Sequence, residues 1–363
     1  MTKAAELAKM GEVLTNSQIG GRRNMVINGA MQVAQRSDGV TGIGASSGYF
    51  TVDRYRIVAS GTAGRLTMSQ ETITDLPGFG NALKLNCTTA DTSIASGEYL
   101  LLSQYLEGKD VQQLKKGTSD AEKVTVSFYV KGNASATYTL ELEDADNNRY
   151  NSQEFSVTTS WTRVVKTFVA DTTGTLNNDT GNSLNLNIIL HSGSDLTGGT
   201  HTSNAWHTTA NQRAGDNLTS FFDSTDRQFF ISGLQMELGS VATPFEHLST
   251  GETERLCHRY FQKLGGVSYH PFAIVAGQNT TLSRSVQHLL TPMRAIPTFA
   301  TEGSHLVEGT SAQSVTSFSI DIATKEVMML NINSSTTHGE DGSAGRWFGD
   351  SGTSARISFD AEL

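Results

Sequence analysis

The stretch 123-KVTVSFYVKG-132 decides the fold class. Val124, Val126, Phe128 and Val130 fall on one side of an extended chain, and Lys123, Thr125, Ser127 and Tyr129 on the other. A period of two carried by β-branched and aromatic residues describes a half-buried strand of an antiparallel sheet. The turn residues 132-GNAS-135 end it. Similar runs recur at 24–29, 49–59, 64–72, 81–88, 98–107, 137–145, 152–159, 162–170, 184–192 and 228–238, separated by turn signals such as 144-DADNN-148 and 171-DTTGT-175. So many short strands without long helices between them mean a sandwich or a barrel, and a two-sheet jelly roll is expected. The stretch 108-GKDVQQLKKG-117 reads as a helical turn or a crossover loop. Residues 193–226 form a long irregular segment, and such segments usually carry function or touch another chain.

Working outward, residues 2–14 read as a short amphipathic helix with Ala4, Leu7, Ala8, Gly11 and Leu14 on one face. An isolated helix of this length is marginal in water, so it needs a partner. Leu7, Met10 and Leu14 are its expected attachment or oligomerisation residues. Gly20-Gly21 breaks the chain, and 21-GRRNMVINGAMQVAQRS-37 enters the β-domain as a first strand with Met25, Ile27, Met31 and Val33 in the core. The expected organisation is a helix and linker over 1–23, a jelly-roll β-sandwich over 24–247 and a smaller β-rich domain over 248–363. This last piece is expected to open with a helix over 251–265, on which Leu256, Tyr260 and Leu264 share a face, followed by strands at 271–277, 280–290, 315–323, 326–332 and 354–363. The class is therefore all-β.

Only 17% of the 363 residues are charged, and 27 basic against 36 acidic residues give a net charge of −9. With no concentrated basic patch to neutralise phosphates, a nucleic-acid partner is not expected. Cys87 and Cys257 stand far apart and read as two small buried hydrophobes. No apolar run reaches the roughly 20 residues that span a bilayer, and 2-TKAAELAKMGEVL-14 lacks an apolar signal core, so membrane insertion is not expected and synthesis in the cytoplasm is.

No phosphate loop, zinc motif or nucleophile elbow occurs in the sequence. Catalytic residues, cofactors and metal ligands are accordingly assigned to no positions. The acids of 141-ELEDADNN-148 lack the full alternating pattern of a calcium loop, although the many oxygen-bearing side chains suit a structural calcium. His201 and His207 share the long segment and read as solvated loop residues rather than a metal pair. Tyr138, Tyr150, Trp161 and Trp206 are the candidate sugar-stacking residues, because sugar rings present apolar C–H faces to aromatic planes.

The run 24-NMVINGAMQVAQR-36 followed by 53-DRYR-56 resembles the opening of tail-fibre-like virion proteins of tailed phages, common among marine and cyanobacterial phages. Further pieces agree in order: 106-LEGKDVQQLKKG-117, 124-VTVSFYVKG-132, 231-ISGLQMELGSVATPFEH-247, 255-RLCHRYFQ-262, 291-TPMRAIPTF-299 and 359-FDAEL-363. Residues 45–247 also resemble the sandwich of carbohydrate-binding modules, through 124-VTVSFYVKG-132 and 226-DRQFFISGLQMELG-239. The resemblance implies a non-enzymatic virion structural protein, a short tail fibre or host-adhesion subunit that binds surface glycan. It also implies a homotrimer, other virion proteins as partners and a place in the virion. A capsid-decorating or head-fibre protein fits the same features. A host-polysaccharide depolymerase recruiting Asp195, Asp216 or Asp223 is the least favoured reading.

Overall fold

A computed structural model of the chain describes residues 3–4, 22–351 and 355–363. Leu7, Met10 and Leu14 lie outside the described residues. The chain divides into two compact units, residues 1–253 with Leu363, and residues 254–362.

The first unit is a jelly-roll β-sandwich of two six-stranded sheets. The first sheet runs, in spatial order, β1 (Gly39–Ile43), β4 (Arg65–Thr72), β5 (Asn81–Thr89), β12 (Gln228–Leu238), β7 (Val124–Gly132) and β10 (Thr162–Phe168). The second runs β2 (Gly48–Tyr49), β3 (Arg56–Ser60), β6 (Tyr99–Glu107), β11 (Asn182–Ser192), β8 (Ala136–Asp144) and β9 (Arg149–Val157). Every pairing is antiparallel. Aromatic rings lock the two inner faces together. Phe128 meets Phe155 edge-on at 5.1 Å, and Tyr138 meets Phe229 edge-on at 5.6 Å.

The stretch that decides the class behaves as expected on one face and not on the other. Val124, Val126, Phe128 and Val130 are buried in the core, but Thr125 and Ser127 are buried too. The linker after β12 covers them. Thr125 Oγ1 donates to Gly239 O (2.8 Å), and Thr243 is clamped by Glu237, its N and Oγ1 donating over 2.9 and 2.7 Å. Two-sided cover turns an alternating strand into a buried one.

Residues 24–36 form no strand, although 24–29, Met31 and Val33 are buried. Side chains replace the ladder. Asn28 Oδ1 accepts from the amides of Gln32 (2.9 Å) and Val33 (3.1 Å), while its Nδ2 donates to Val33 O and Asp53 O (2.9 and 3.1 Å). Gln104 brackets Ile27 from both sides, at 2.7 and 3.0 Å. Asn24 accepts from Met236 N (3.0 Å) and donates to Leu234 O (3.0 Å). These partners satisfy backbone groups that a buried coil would otherwise leave unpaired. They let Asn28 and Met31 adopt positive φ, at 60° and 57°, which no strand permits.

In the second unit, β13 (Phe261–Gly265), β21 (Arg356–Asp360) and β16 (Thr298–Glu302) form a three-stranded sheet. The strands β14 (Pro271–Gly277), β15 (Leu282–His288), β19 (Val327–Ser334), β18 (Ala312–Ala323), β17 (His305–Glu308) and β20 (Ala344–Gly349) close a barrel. Closure was not legible in the sequence. The helix expected over 251–265 spans only Thr250–His258, opened by a capping box in which Ser249 and Glu252 bond reciprocally. Residues 261–265 are β13 instead, because five consecutive pairings with β21 outweigh the helical spacing of Tyr260 and Leu264. Trp347 fills the barrel, fully buried against Phe272 (4.9 Å) and Phe318 (5.1 Å), with its Nε1 on His305 Nδ1 (3.2 Å). Outside the barrel, Val286 pairs with Met329 and Met329 with Ile322. Val286 and Ile322 are 45% and 58% exposed, and Ile274 on the adjoining β14 is 75% exposed.

Candidate functional site: the outer face of the second sheet

Antiparallel register stacks polar and aromatic side chains into two rows on the outer face of the second sheet. Tyr150 pairs with Glu143, Glu143 with Asn185 and Asn185 with Tyr105, across β9, β8, β11 and β6. One rung along, Ser152, Glu141, Asn187, Ser103, Arg56 and Tyr49 align across all six strands. Each of these strands alternates, so Leu140, Leu142, Leu184, Leu186 and Leu102 point the other way into the core.

Arg213, from the long irregular segment, reaches down onto both rows. Its Nε donates to Glu141 Oε1 (2.8 Å), and its Nη2 donates to Glu141 Oε2 (2.7 Å) and Glu143 Oε2 (3.1 Å). Its guanidinium lies 4.2 Å from the Tyr150 ring centroid. Asn187 Nδ2 donates to Glu141 (2.9 Å) and Glu143 (2.8 Å), Asn185 Nδ2 donates to Glu143 (3.1 Å), and Ser103 Oγ donates to Asn187 (2.7 Å). Burial pushes the Glu141 carboxyl up, and Arg213 opposes it. Burial works against the charge on Arg213, but Glu141 and Glu143 outweigh it and hold the guanidinium protonated. Burial pushes the phenols of Tyr105 and Tyr150 up, so both stay neutral donors.

The open part of the face lies around Tyr105, Glu143 and Arg56, all partly exposed. Arg56 stacks on Tyr105 at 5.1 Å and on Tyr49 at 5.7 Å. Its Nη1 donates to Leu363 O of the same unit (2.9 Å), while its Nε is buried without a partner. Asn185 Oδ1 is likewise buried without one. Aromatic rings, a carboxylate, an amide and a guanidinium on one surface suit a ligand carrying both C–H faces and hydroxyls.

The four aromatics named from sequence are not brought together. Tyr138 is 1% exposed in the core and offers no face to a ligand. Tyr150 belongs to the site, its ring covered by Arg213. Trp161 lies on the outer face of the first sheet, its Nε1 on Asp75 (2.9 Å) and Lys131 5.0 Å from its ring. Trp206 is held at the rim by Val169 O (2.8 Å), with Lys116 Nζ 4.7 Å from its ring. His201 bonds Ser152 (3.0 Å), and His207 joins β9 through mutual backbone bonds with Tyr150 (2.8 and 3.0 Å). Of the loop acids, Asp223 is ion-paired to Arg227 and Asp216 accepts from His201 N (3.4 Å). Sequence reading missed Tyr105, Glu141, Glu143, Asn185, Asn187 and Arg213. The i, i+2 spacing of Glu141-Glu143 and Asn185-Asn187 on alternating strands was the available signal; only register joins them.

No protein-family model matches the chain, and no curated protein does. Among solved structures, a carbohydrate-binding module of the CBM4 type is 8% identical and covers 58% of this chain and 97% of its own, at a TM-score of 0.30. A family 61 carbohydrate-binding module in complex with β-1,4-galactotriose is 11% identical, covering 60% and 99%, at 0.31. The enzymatically active domain of tailspike protein 4 of bacteriophage CBA120 is 8% identical, covering 59% of this chain and 21% of its own, at 0.30. Among the described residues, no helix is long and apolar enough to cross a membrane.

Proposed function

We propose that the chain is a non-enzymatic glycan-binding subunit of a phage virion, a short tail fibre or host-adhesion protein acting as a homotrimer. The observation that carries the binding reading is the Tyr150–Glu143–Asn185–Tyr105 row with Arg56 beside it. Tyr105 supplies a ring for a sugar's C–H face, and the partly exposed Glu143 carboxylate and Arg56 guanidinium supply the directional bonds. The carboxylates support binding over cleavage. A hydrolase needs two acids standing across the scissile bond, one able to reach the leaving oxygen. Here Glu141 is 0% exposed and shares one guanidinium with Glu143. The virion placement rests on the sequence resemblance alone, and a capsid-decorating protein would use the same face.

The test is a screen of the full chain against immobilised bacterial surface polysaccharides, followed by calorimetry on the best hit. Tyr105→Ala is expected to weaken binding at least about tenfold, roughly 1.4 kcal/mol, and Glu143→Gln to weaken it without unfolding the chain. Wild-type affinity in both variants, or no glycan bound by the wild type, overturns the reading. Release of reducing sugar from a bound polysaccharide would refute the non-enzymatic half.

A further inference from the structure

Among the described residues, one group of three metal-ligating side chains converges inside the sandwich unit: Asp91, Glu98 and His191, whose ligand atoms all lie within 4.8 Å of one another. It lies apart from the glycan face. Asp91 sits in the β5–β6 connection, Glu98 just before β6 and His191 near the end of β11. They are 6%, 8% and 0% exposed. His191 Nε2 and Glu98 Oε2 are both buried without a hydrogen-bond partner, 3.6 Å apart. The two atoms face each other as a long ion-pair contact that leaves the hydrogen-bonding capacity of both unfilled in a buried setting.

The surroundings orient all three groups. His191 Nδ1 is engaged by Ser220 Oγ at 2.8 Å, and its ring packs edge-on against Phe222 at 5.3 Å, which leaves Nε2 facing inward. Asp91 Oδ2 accepts from Thr62 Oγ1 (2.8 Å) and Ala63 N (2.7 Å). Its Oδ1 accepts a long bond from Ser93 N (3.3 Å). Fixed second partners of this kind set the geometry of metal ligands.

We propose that Asp91, Glu98 and His191 bind one divalent transition-metal ion, with zinc as the best match. Two carboxylates offset the dication, and an imidazole nitrogen selects against calcium, which takes oxygen ligands. Tetrahedral zinc ligands at roughly 2.0–2.2 Å from the metal stand roughly 3.4 Å from each other, close to the 3.6 Å between His191 Nε2 and Glu98 Oε2. Asp91 closes the third side by a small rotation, and water completes the shell. The ion would pin the β5–β6 connection to the ends of β6 and β11, a structural staple.

The experiment uses the untagged full chain, stripped with chelator, dialysed, and titrated with zinc chloride in a calorimeter. Thermal unfolding and elemental analysis follow. The expected result is about one tightly bound zinc per chain, a raised melting temperature and no comparable response to calcium chloride. Glu98→Gln keeps the shape of the site and removes a ligand charge. It is expected to weaken zinc binding by at least about 100-fold, since loss even of an outer-shell partner costs roughly 10–100-fold. His191→Gln should do the same. Failure of the wild type to bind zinc above the Glu98→Gln background overturns the proposal, as does equal binding in wild type and both variants, which would mark adventitious surface binding only.

Discussion

Arg213→Ala tests whether the buried carboxylate pair is held as described. The Glu141 side chain is 0% exposed and the Arg213 side chain 13%, so solvent screens their attraction little. Removing the cation leaves Glu141 with only Asn187 Nδ2 at 2.9 Å, in reach of a second carboxylate on the same strand. Breaking a buried pair costs about 3–5 kcal/mol. Glu143 keeps some contact with water, which places the expected cost near the lower end, about 3 kcal/mol. The sign of the pH dependence follows from Glu141, whose carboxyl is already pushed up by burial and opposed chiefly by Arg213. Without Arg213 the carboxyl rises further. A raised folded-state carboxyl contributes stability that is present below its unfolded value and lost as pH rises through the folded one. The variant's penalty is therefore small near about pH 5 and large near about pH 8. Hydrogen exchange at the β8 amides reads this unit alone, which matters because two units need not unfold together. A companion variant, Glu141→Leu with Arg213→Met, should recover to within about 1 kcal/mol of wild type, since apolar residues of like volume replace buried pairs well. A penalty for Arg213→Ala below about 1 kcal/mol at the higher pH, or one that grows toward acid, refutes the reasoning.

Gly29→Ala should unfold the entry segment, because a Cβ there would stand 2.1 Å from Leu234 O. A cost of at least about 3 kcal/mol in denaturant is expected, and near-neutral behaviour would contradict the described backbone. Ile322→Glu with Val286→Glu places two charges on the apolar stripe of the barrel. If the trimer forms through this face, light scattering should read a monomer where the wild type reads a trimer; an unchanged mass refutes that use of the stripe.

The strands were legible where one face is dry and the other wet, as in β5 and β19. They were misread where cover is tertiary. The linker 239–247 buries Thr125 and Ser127 of β7, and nothing in the local pattern announces a neighbour arriving from more than a hundred residues away. The run 24-NMVING-29 has strand composition, yet its buried polar groups are satisfied by Asn24, Asn28 and Gln104 side chains. Short strands such as β1, β16, β17 and β20 were missed because pairing, rather than propensity, makes them. The site was the least legible part. Glu141 and Arg213 meet across 72 residues, and Asp91, Glu98 and His191 share no motif spacing.

The first sheet keeps β12, the last strand of the sandwich, in its middle, between β5 and β7. Asn24 and Arg23, at the start of the unit, wait for Glu246 to supply their amide acceptor at 2.8 and 2.9 Å. A ribosome making this chain from its N-terminus therefore releases two half-sheets with raw inner edges, β5 and β7, long before the strand that joins them emerges. Contacts so distant in sequence close slowly. Until residue 238 clears the exit tunnel, the nascent chain is a candidate for chaperone binding, and a premature stop shortly before β12 should give an insoluble fragment rather than a smaller sandwich.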